Sequence, residues 1–140
     1  MRFETTTSIA ATPQQVWEVY ADVERWPEWT ASVTSVERLD PGPLRVGART
    51  RIKQPKLPVA VWEVTELVDG ERWVWVATGP GVTTTAAHEI RASDSGATAT
   101  ATIDQNGPVG ALIGRLTRGL TERYLALEGA GLKARSEGQR

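Results

Sequence analysis

Between Ser32 and Gln105 the chain reads as a succession of strands with nothing longer than a turn between them, and few folds accommodate that. The runs Ser32–Leu39, Ala48–Gln54, Val59–Val68, Arg72–Thr78, Val82–Ala92 and Ala97–Gln105 alternate in polarity and are strand-like in composition. Asp40-Pro41-Gly42-Pro43, Pro55 and Pro58, Asp69-Gly70, Gly79-Pro80-Gly81 and Asp94-Ser95-Gly96 punctuate them. A parallel crossover needs a dozen residues or more, so these strands are expected to pair antiparallel as a meander. After Asn106-Gly107-Pro108 the period becomes helical, with Leu112, Leu116, Leu120, Tyr124 and Leu127 on one stripe and Leu132 near its end. One long amphipathic helix from about Pro108 to Ser136 is predicted to cover the apolar face of the sheet.

Ahead of the meander, Arg2 to Ala10 suits a further strand, and Thr12-Pro13 supplies an N-cap and a first-turn proline for a short helix to about Tyr20. Val16, Val19 and Tyr20 form its apolar side, with Trp17 beside them. In Trp26-Pro27-Glu28-Trp29 two indoles then bracket a proline. Indole is costly to expose and proline cannot continue a helix, so this is an aromatic corner folded over something apolar.

At 140 residues and 40% hydrophobic content the chain is expected to be one domain, 1–140, able to bury about 68–70% of its unfolded surface. Sixteen basic and 17 acidic residues give a net charge of −1, which provides no field for steering onto nucleic acid or an anionic membrane. Cysteine is absent, so disulfides, thiolate nucleophiles and Cys-ligated metals are excluded by inventory. The N-terminal residues lack the apolar core of a signal peptide, and no run approaches a membrane span. A cytoplasmic protein without stable membrane insertion is expected, as a monomer or homodimer.

Five segments carry a family likeness: Trp26-Pro27-Glu28-Trp29; Val46-Gly47-Ala48-Arg49 before a strand ending in Gln54-Pro55; Trp62-Glu63-Val64-Thr65-Glu66; Gly96-Ala97-Thr98; and Gly131-Leu132-Lys133-Ala134-Arg135-Ser136-Glu137. In their order and spacing they resemble the polyketide cyclase/dehydrase-like members of the START-related (SRPBCC) superfamily. The resemblance implies an α+β helix-grip fold. Its seven-stranded curved antiparallel sheet would wrap a long C-terminal helix, with two short helices after the first strand. It also implies an apolar small-molecule ligand. The superfamily includes lipid carriers, aromatase/cyclases and hormone receptors, so membership alone does not fix an activity.

Alternation assigns the strand faces. Thr50, Ile52 and Gln54 should face the helix while Arg49, Arg51 and Lys53 face water, which makes the basic run a solvated strand face rather than a phosphate patch. Trp73, Trp75 and Ala77 should also point inward, as should Ala86, His88 and Ile90, and Ala97, Ala99, Ala101, Ile103 and Gln105. Small inward residues on the last strand beside indoles suggest a void lined by rings. Of the six tryptophans, Trp17 and Trp62 read as core filler, whereas Trp26, Trp29, Trp73 and Trp75 are candidate pocket walls. His88, the one histidine, is a weak catalytic candidate, since no partner is evident to fix its tautomer. One histidine and no cysteine make a metal site improbable, and no cofactor is expected. Gly107, Gly110, Gly114 and Gly119 weaken the first half of the last helix, which could act as a gate.

The reading is a carrier of an apolar small molecule (lipid, polyketide-like or terpenoid) held between sheet and C-terminal helix. Its expected ligand contacts are Trp26, Trp29, Gln54, Trp73, Trp75, His88, Gln105, Leu116, Leu120 and Tyr124. The alternative is an aromatase/cyclase-type enzyme acting in the same cavity, with His88, Gln54, Gln105 and Tyr124 as its available polar groups.

Overall fold

The computed structural model describes residues 1–138, so positions 139–140 of the domain expected over 1–140 lie outside the described residues. In chain order the elements are β1 (Arg2–Ile9), α1 (Pro13–Ala21), a 3-10 turn (Val23–Arg25), α2 (Trp26–Trp29), β2 (Ser35–Arg38), β3 (Arg49–Lys53) and β4 (Ala60–Val68). There follow β5 (Arg72–Gly79), β6 (Val82–Ser93), β7 (Gly96–Asn106), α3 (Gly110–Leu116) and α4 (Arg118–Ser136). The seven strands form one curved antiparallel sheet in the order β1-β7-β6-β5-β4-β3-β2. Strands β2 to β7 each pair with their chain neighbour, as short turns require, and β1 returns to pair with β7 from Arg2↔Asp104 to Ile9↔Ala97.

The local signals act as their chemistry dictates. The Gln15 amide donates to Thr12 Oγ1 at 3.1 Å, and the Thr12 amide donates to Gln15 Oε1 at 2.9 Å, a capping box that starts α1. Pro27 sits in the first turn of α2, where a missing N–H breaks no helical bond. On β3, Thr50 and Ile52 are buried while Arg49 and Arg51 point to water and pair with Asp40 and Glu37.

The C-terminal helix departs from the expected single run. It is broken at Thr117, whose φ of −104° and ψ of 9° leave the helical region, and the long helix is α4. Thr117 Oγ1 donates to the Ile113 carbonyl at 2.7 Å, the back-bonding that bends helices. The buried face of α3 is also not the leucine stripe. Gly110 and Gly114 turn inward, where an added methyl group would lie 2.9 Å from the Gln105 carbonyl oxygen and 2.7 Å from Met1 Sδ respectively. No side chain fits on that face at such a separation, so Leu112 and Leu116 turn outward and are 55% and 73% exposed.

Along α4, Leu125 and Leu132 are buried, and glycines again set the approach distance. A methyl group on Gly131 would fall inside the van der Waals envelope of the Trp29 carbonyl oxygen, so the aromatic corner is seated directly on the α4 backbone. Gly131→Ala is therefore expected to cost about 3 kcal/mol by overpacking. Gly119→Ala, at a position open on all sides, should gain up to about 1 kcal/mol. Urea unfolding of the two variants checks this, and equal effects would contradict the seating of α2 on α4. Amides of α3 should also exchange hydrogen faster than those of α4, because a short helix followed by a break opens locally. Uniform protection across Thr117 would contradict it.

Candidate functional site

The concave face of the sheet divides into two halves. In the first, Trp73 and Trp75 of β5 and His88 and Ile90 of β6 meet Val16 and Tyr20 of α1, Trp26 of α2 and Leu132 of α4. The rings interlock: Tyr20 stacks on Trp26 at 5.6 Å between centroids and meets Trp73 edge-on at 5.0 Å, and the His88 ring lies on Trp73 at 4.1 Å. Trp26 Nε1 donates to the Tyr20 carbonyl at 2.8 Å. Ala97 and Ala99 of β7 are buried in this half, so their small side chains admit close packing of the helices there, while Ala101 packs with Phe3 of β1 and Leu125 of α4 in a second, smaller cluster.

The open space lies in the other half. A cavity of about 500 Å³ is bounded below by the ends of β5, β6 and β7 at Ala77, Thr84, Ile103 and Gln105. Ile52, Gln54 and Trp62 form one side, and Ile113 of α3 with Thr121, Tyr124 and Glu128 of α4 form the roof. Val59 and Val61 line it while 53% and 41% exposed, which marks its mouth beside the loop from 54 to 59. The Tyr124 hydroxyl donates to the Pro55 carbonyl and ties that loop to α4. Gln54 Nε2 donates to the Ser32 carbonyl at 3.2 Å.

At the boundary between the halves sits a pair that sequence reasoning missed. The Tyr20 hydroxyl donates to Glu128 Oε2 at 2.5 Å, joining the aromatic core to the cavity wall. Glu128 is half-buried, and desolvation of its carboxyl raises it to about 7 against a smaller lowering by the Tyr20 hydrogen bond. Burial, and then the adjacent carboxylate, raises the Tyr20 phenol well above its ordinary value. A carboxyl that titrates near neutrality inside a cavity can hold or release a proton at little cost. The signal was present in the spacing: the inward residues of α4 are Thr121, Leu125, Glu128 and Leu132, a stripe rotated from the one on Leu116, Leu120 and Leu127.

Of the residues expected at the site, the structure brings Gln54, Gln105 and Tyr124 together around the cavity. Trp26, Trp73, Trp75 and His88 are buried in the aromatic core and are not among its lining residues. Burial depresses His88 to about 3, against a smaller opposing effect from the Trp73 backbone, so its ring is neutral at physiological pH. Trp29 borders a separate cleft of about 270 Å³ with charged walls including Glu18, Asp22, Arg25 and Arg135. Leu116 points to solvent, and Leu120 is half-buried outside the cavity lining. Trp62, read from sequence as packing, is a tryptophan of the cavity wall. Among the described residues no group of three or more His, Cys, Asp or Glu side chains gathers to hold a metal ion, and no helix is long and apolar enough to cross a membrane.

A curved antiparallel sheet around a long C-terminal helix is the helix-grip arrangement of the START-related proteins. The chain matches the family described as "Polyketide cyclase / dehydrase and lipid transport" over residues 1–137, and it belongs to that family. Among solved structures, the Zhui aromatase/cyclase from Streptomyces sp. R1128 superposes with a TM-score of 0.78 at 18% identity, covering 98% of this chain and 93% of that one. A START superfamily protein from Mycobacterium smegmatis superposes with a TM-score of 0.74 at 16% identity, covering 96% and 97%. At these identities the likeness is one of fold. An uncharacterized protein of Mycobacterium tuberculosis is 42% identical over 50 residues, 36% of this chain. That match spans 29% of the mycobacterial protein, less than a third of its length.

The raised carboxyl of Glu128 has a signed consequence for stability. The folded protein holds this proton up to about pH 7, whereas the unfolded chain releases it near the ordinary 4.5. The stabilisation is fully present below about pH 4.5 and is lost as pH rises through 7, amounting to up to about 3 kcal/mol. Glu128→Gln keeps an acceptor for the Tyr20 hydroxyl and removes the titration. It should match the parent in denaturant unfolding at pH 4 and exceed it at pH 8; a parent advantage at pH 8 would contradict the assignment.

Proposed function

We propose that this protein binds and carries an apolar small molecule of lipid, polyketide-like or terpenoid character in the cavity between the sheet and the helices α3 and α4. The observation that carries the reading is the cavity itself: its volume of about 500 Å³ lies in the range of small-molecule sites, and its walls are mainly apolar with a few polar groups. Gln54, Gln105 and Tyr124 act as ligand contacts on this reading, joined by Trp62 and Glu128, while Trp26, Trp73, Trp75 and His88 form the rigid core behind them. The family's description and the fold of its neighbours support the same reading.

A second reading, an aromatase/cyclase-type enzyme, is favoured by one specific observation: a carboxyl raised to about 7 and hydrogen-bonded to a phenol lies on the cavity wall. Glu128 would take a proton from a carbon beside a ketone and return it to an oxygen as the ring closes, the work of a general acid and base poised near the operating pH. Carriage requires saturable binding; the enzyme requires turnover in addition.

Native mass spectrometry of the purified protein is expected to show a bound hydrophobe at one per chain. After its removal, an apolar probe such as dodecanol should shift the emission of Trp62 saturably. Thr121→Trp, which fills the cavity from α4, should weaken that binding by about tenfold or more, a loss of roughly 1.4 kcal/mol. A folded Thr121→Trp variant that binds dodecanol like the parent would place the site elsewhere.

A further inference from the structure

Among the described residues the cavity wall holds one carboxylic acid and no base. Gln54 Nε2 donates to the Ser32 carbonyl, the Tyr124 hydroxyl to Pro55 and the Thr117 hydroxyl to Ile113, so each of these side chains spends a donor within the protein and retains an oxygen as acceptor, while the second Gln54 N–H, the Gln105 amide and the Trp62 indole remain as neutral donors. Gln105 Oε1 is buried without a partner against Gly114 of α3, and Glu128 Oε1 has no hydrogen-bond partner among the described residues. The hydroxyls of Thr78, Thr84 and Thr121 can serve either way. Among the described residues that line the cavity there is no Lys, Arg or His, and Glu128 is the one acidic residue. A fatty acid or phosphate headgroup would therefore meet a carboxylate with only neutral N–H donors to receive it, the nearby Lys53 ammonium being held by the Gln54 and Leu57 carbonyls, whereas a donor-bearing cation would meet an opposite charge and acceptor oxygens.

We propose that the ligand of this cavity is a lipophilic amine, whose ammonium group pairs with Glu128 and donates to the surrounding acceptor oxygens, and whose hydrocarbon body lies along Trp62, Ile103 and Ile113. This rests on the carriage reading and narrows its ligand class. Tyr20 fixes one carboxylate oxygen of Glu128 from behind and leaves the other for the ammonium. Among the described residues that line the cavity no other charged group competes for it, and Lys53 beside the mouth is held by the Gln54 and Leu57 carbonyls. From α1 the facing titratable group is Tyr20, with the neutral His88 of β6 behind it at 5.2 Å between rings, and from α4 it is Tyr124. On the remaining elements packed against α4, charges lie at the surface: Arg2 and Asp104 pair across β1 and β7, Glu28 of α2 pairs with Arg135, and Arg115 of α3 is exposed. Along α4 itself, Arg118 pairs with Glu122, and Arg123 is exposed.

The test compares dodecylamine, dodecanol and dodecanoate, which share one chain and differ in headgroup, by calorimetry on the parent and on Glu128→Gln. At pH 8 the amine is expected to bind the parent about tenfold or more tighter than the alcohol, as a charge-assisted hydrogen bond to a desolvated carboxylate requires, with the carboxylate probe weakest. An alkylamine stays protonated throughout, so its affinity follows the ionisation of Glu128 and should rise about 30-fold from pH 5.5 to 8.5, levelling above about 7. In Glu128→Gln both the preference for amine and its pH dependence should disappear while dodecanol still binds. The pH series on the parent tests the same point without a variant. Equal affinity for amine and alcohol at pH 8, or tighter binding of dodecanoate, overturns the amine assignment and leaves carriage standing. Failure of all three probes to bind the parent overturns both.

Discussion

The hydrogen bond from Tyr20 to Glu128 links chain segments 108 residues apart and lies where the packed and open halves of the molecule meet. Tyr20 is fixed by the rings of Trp26, Trp73 and His88, so its hydroxyl has one direction in which to donate. Glu128 is thereby held on the cavity side of α4 with one oxygen occupied. A lone carboxyl turned into an apolar space would otherwise swing toward water. The aromatic core is the device that keeps it in place, and the core's rigidity is transmitted to the site through one phenol.

Two different uses of small residues make the two halves possible. In the packed half, Ala97 and Ala99 on β7 and Gly131 on α4 permit close approach of helices to the sheet and of α2 to α4. At the other end, Gly110 and Gly114 bring α3 down onto the end of β7 and onto Met1, and the break at Thr117 redirects the chain into α4. Thr121, Tyr124 and Glu128 then span the gap that opens beyond this hinge. The space is a consequence of how α3 and α4 are joined. Its carboxyl opposes folding above neutral pH, the kind of local conflict expected of the proposed binding site.

Much of the architecture was legible in the chain because its signals are local. Turn residues every few positions fixed the meander, Thr12-Pro13 fixed the start of α1, and alternation placed Thr50, Ile52, Trp73 and Trp75 on the inner face. The site was less legible, since being inward and lining a cavity differ only in tertiary packing. Trp73, Trp75 and His88 share the register of Ala77 and Thr84, yet α1 and α2 cover the first group and leave the second open. The helix was misread for a related reason. Leucines at regular spacing outweighed glycines in the pattern, while in the fold the glycines of α3 face the sheet because nothing larger fits. Glu128 escaped notice because a charged residue on a helix is ordinarily solvated, and the stripe through Leu125 and Leu132 that carries it inward is short.

The central claim is that Glu128 is a desolvated carboxyl poised between protonation states inside the cavity. The direct measurement is a carbon-13 NMR titration of the glutamate side-chain carboxyls in the ligand-free protein, with the Glu128 resonance identified by its loss in Glu128→Gln. The account predicts that this resonance titrates with a midpoint near pH 7 while the exposed glutamates titrate near their ordinary value of about 4.3. A Glu128 midpoint in the range of those exposed carboxyls would contradict it, for the carboxyl would then be solvated and the wall around it would not be the one described.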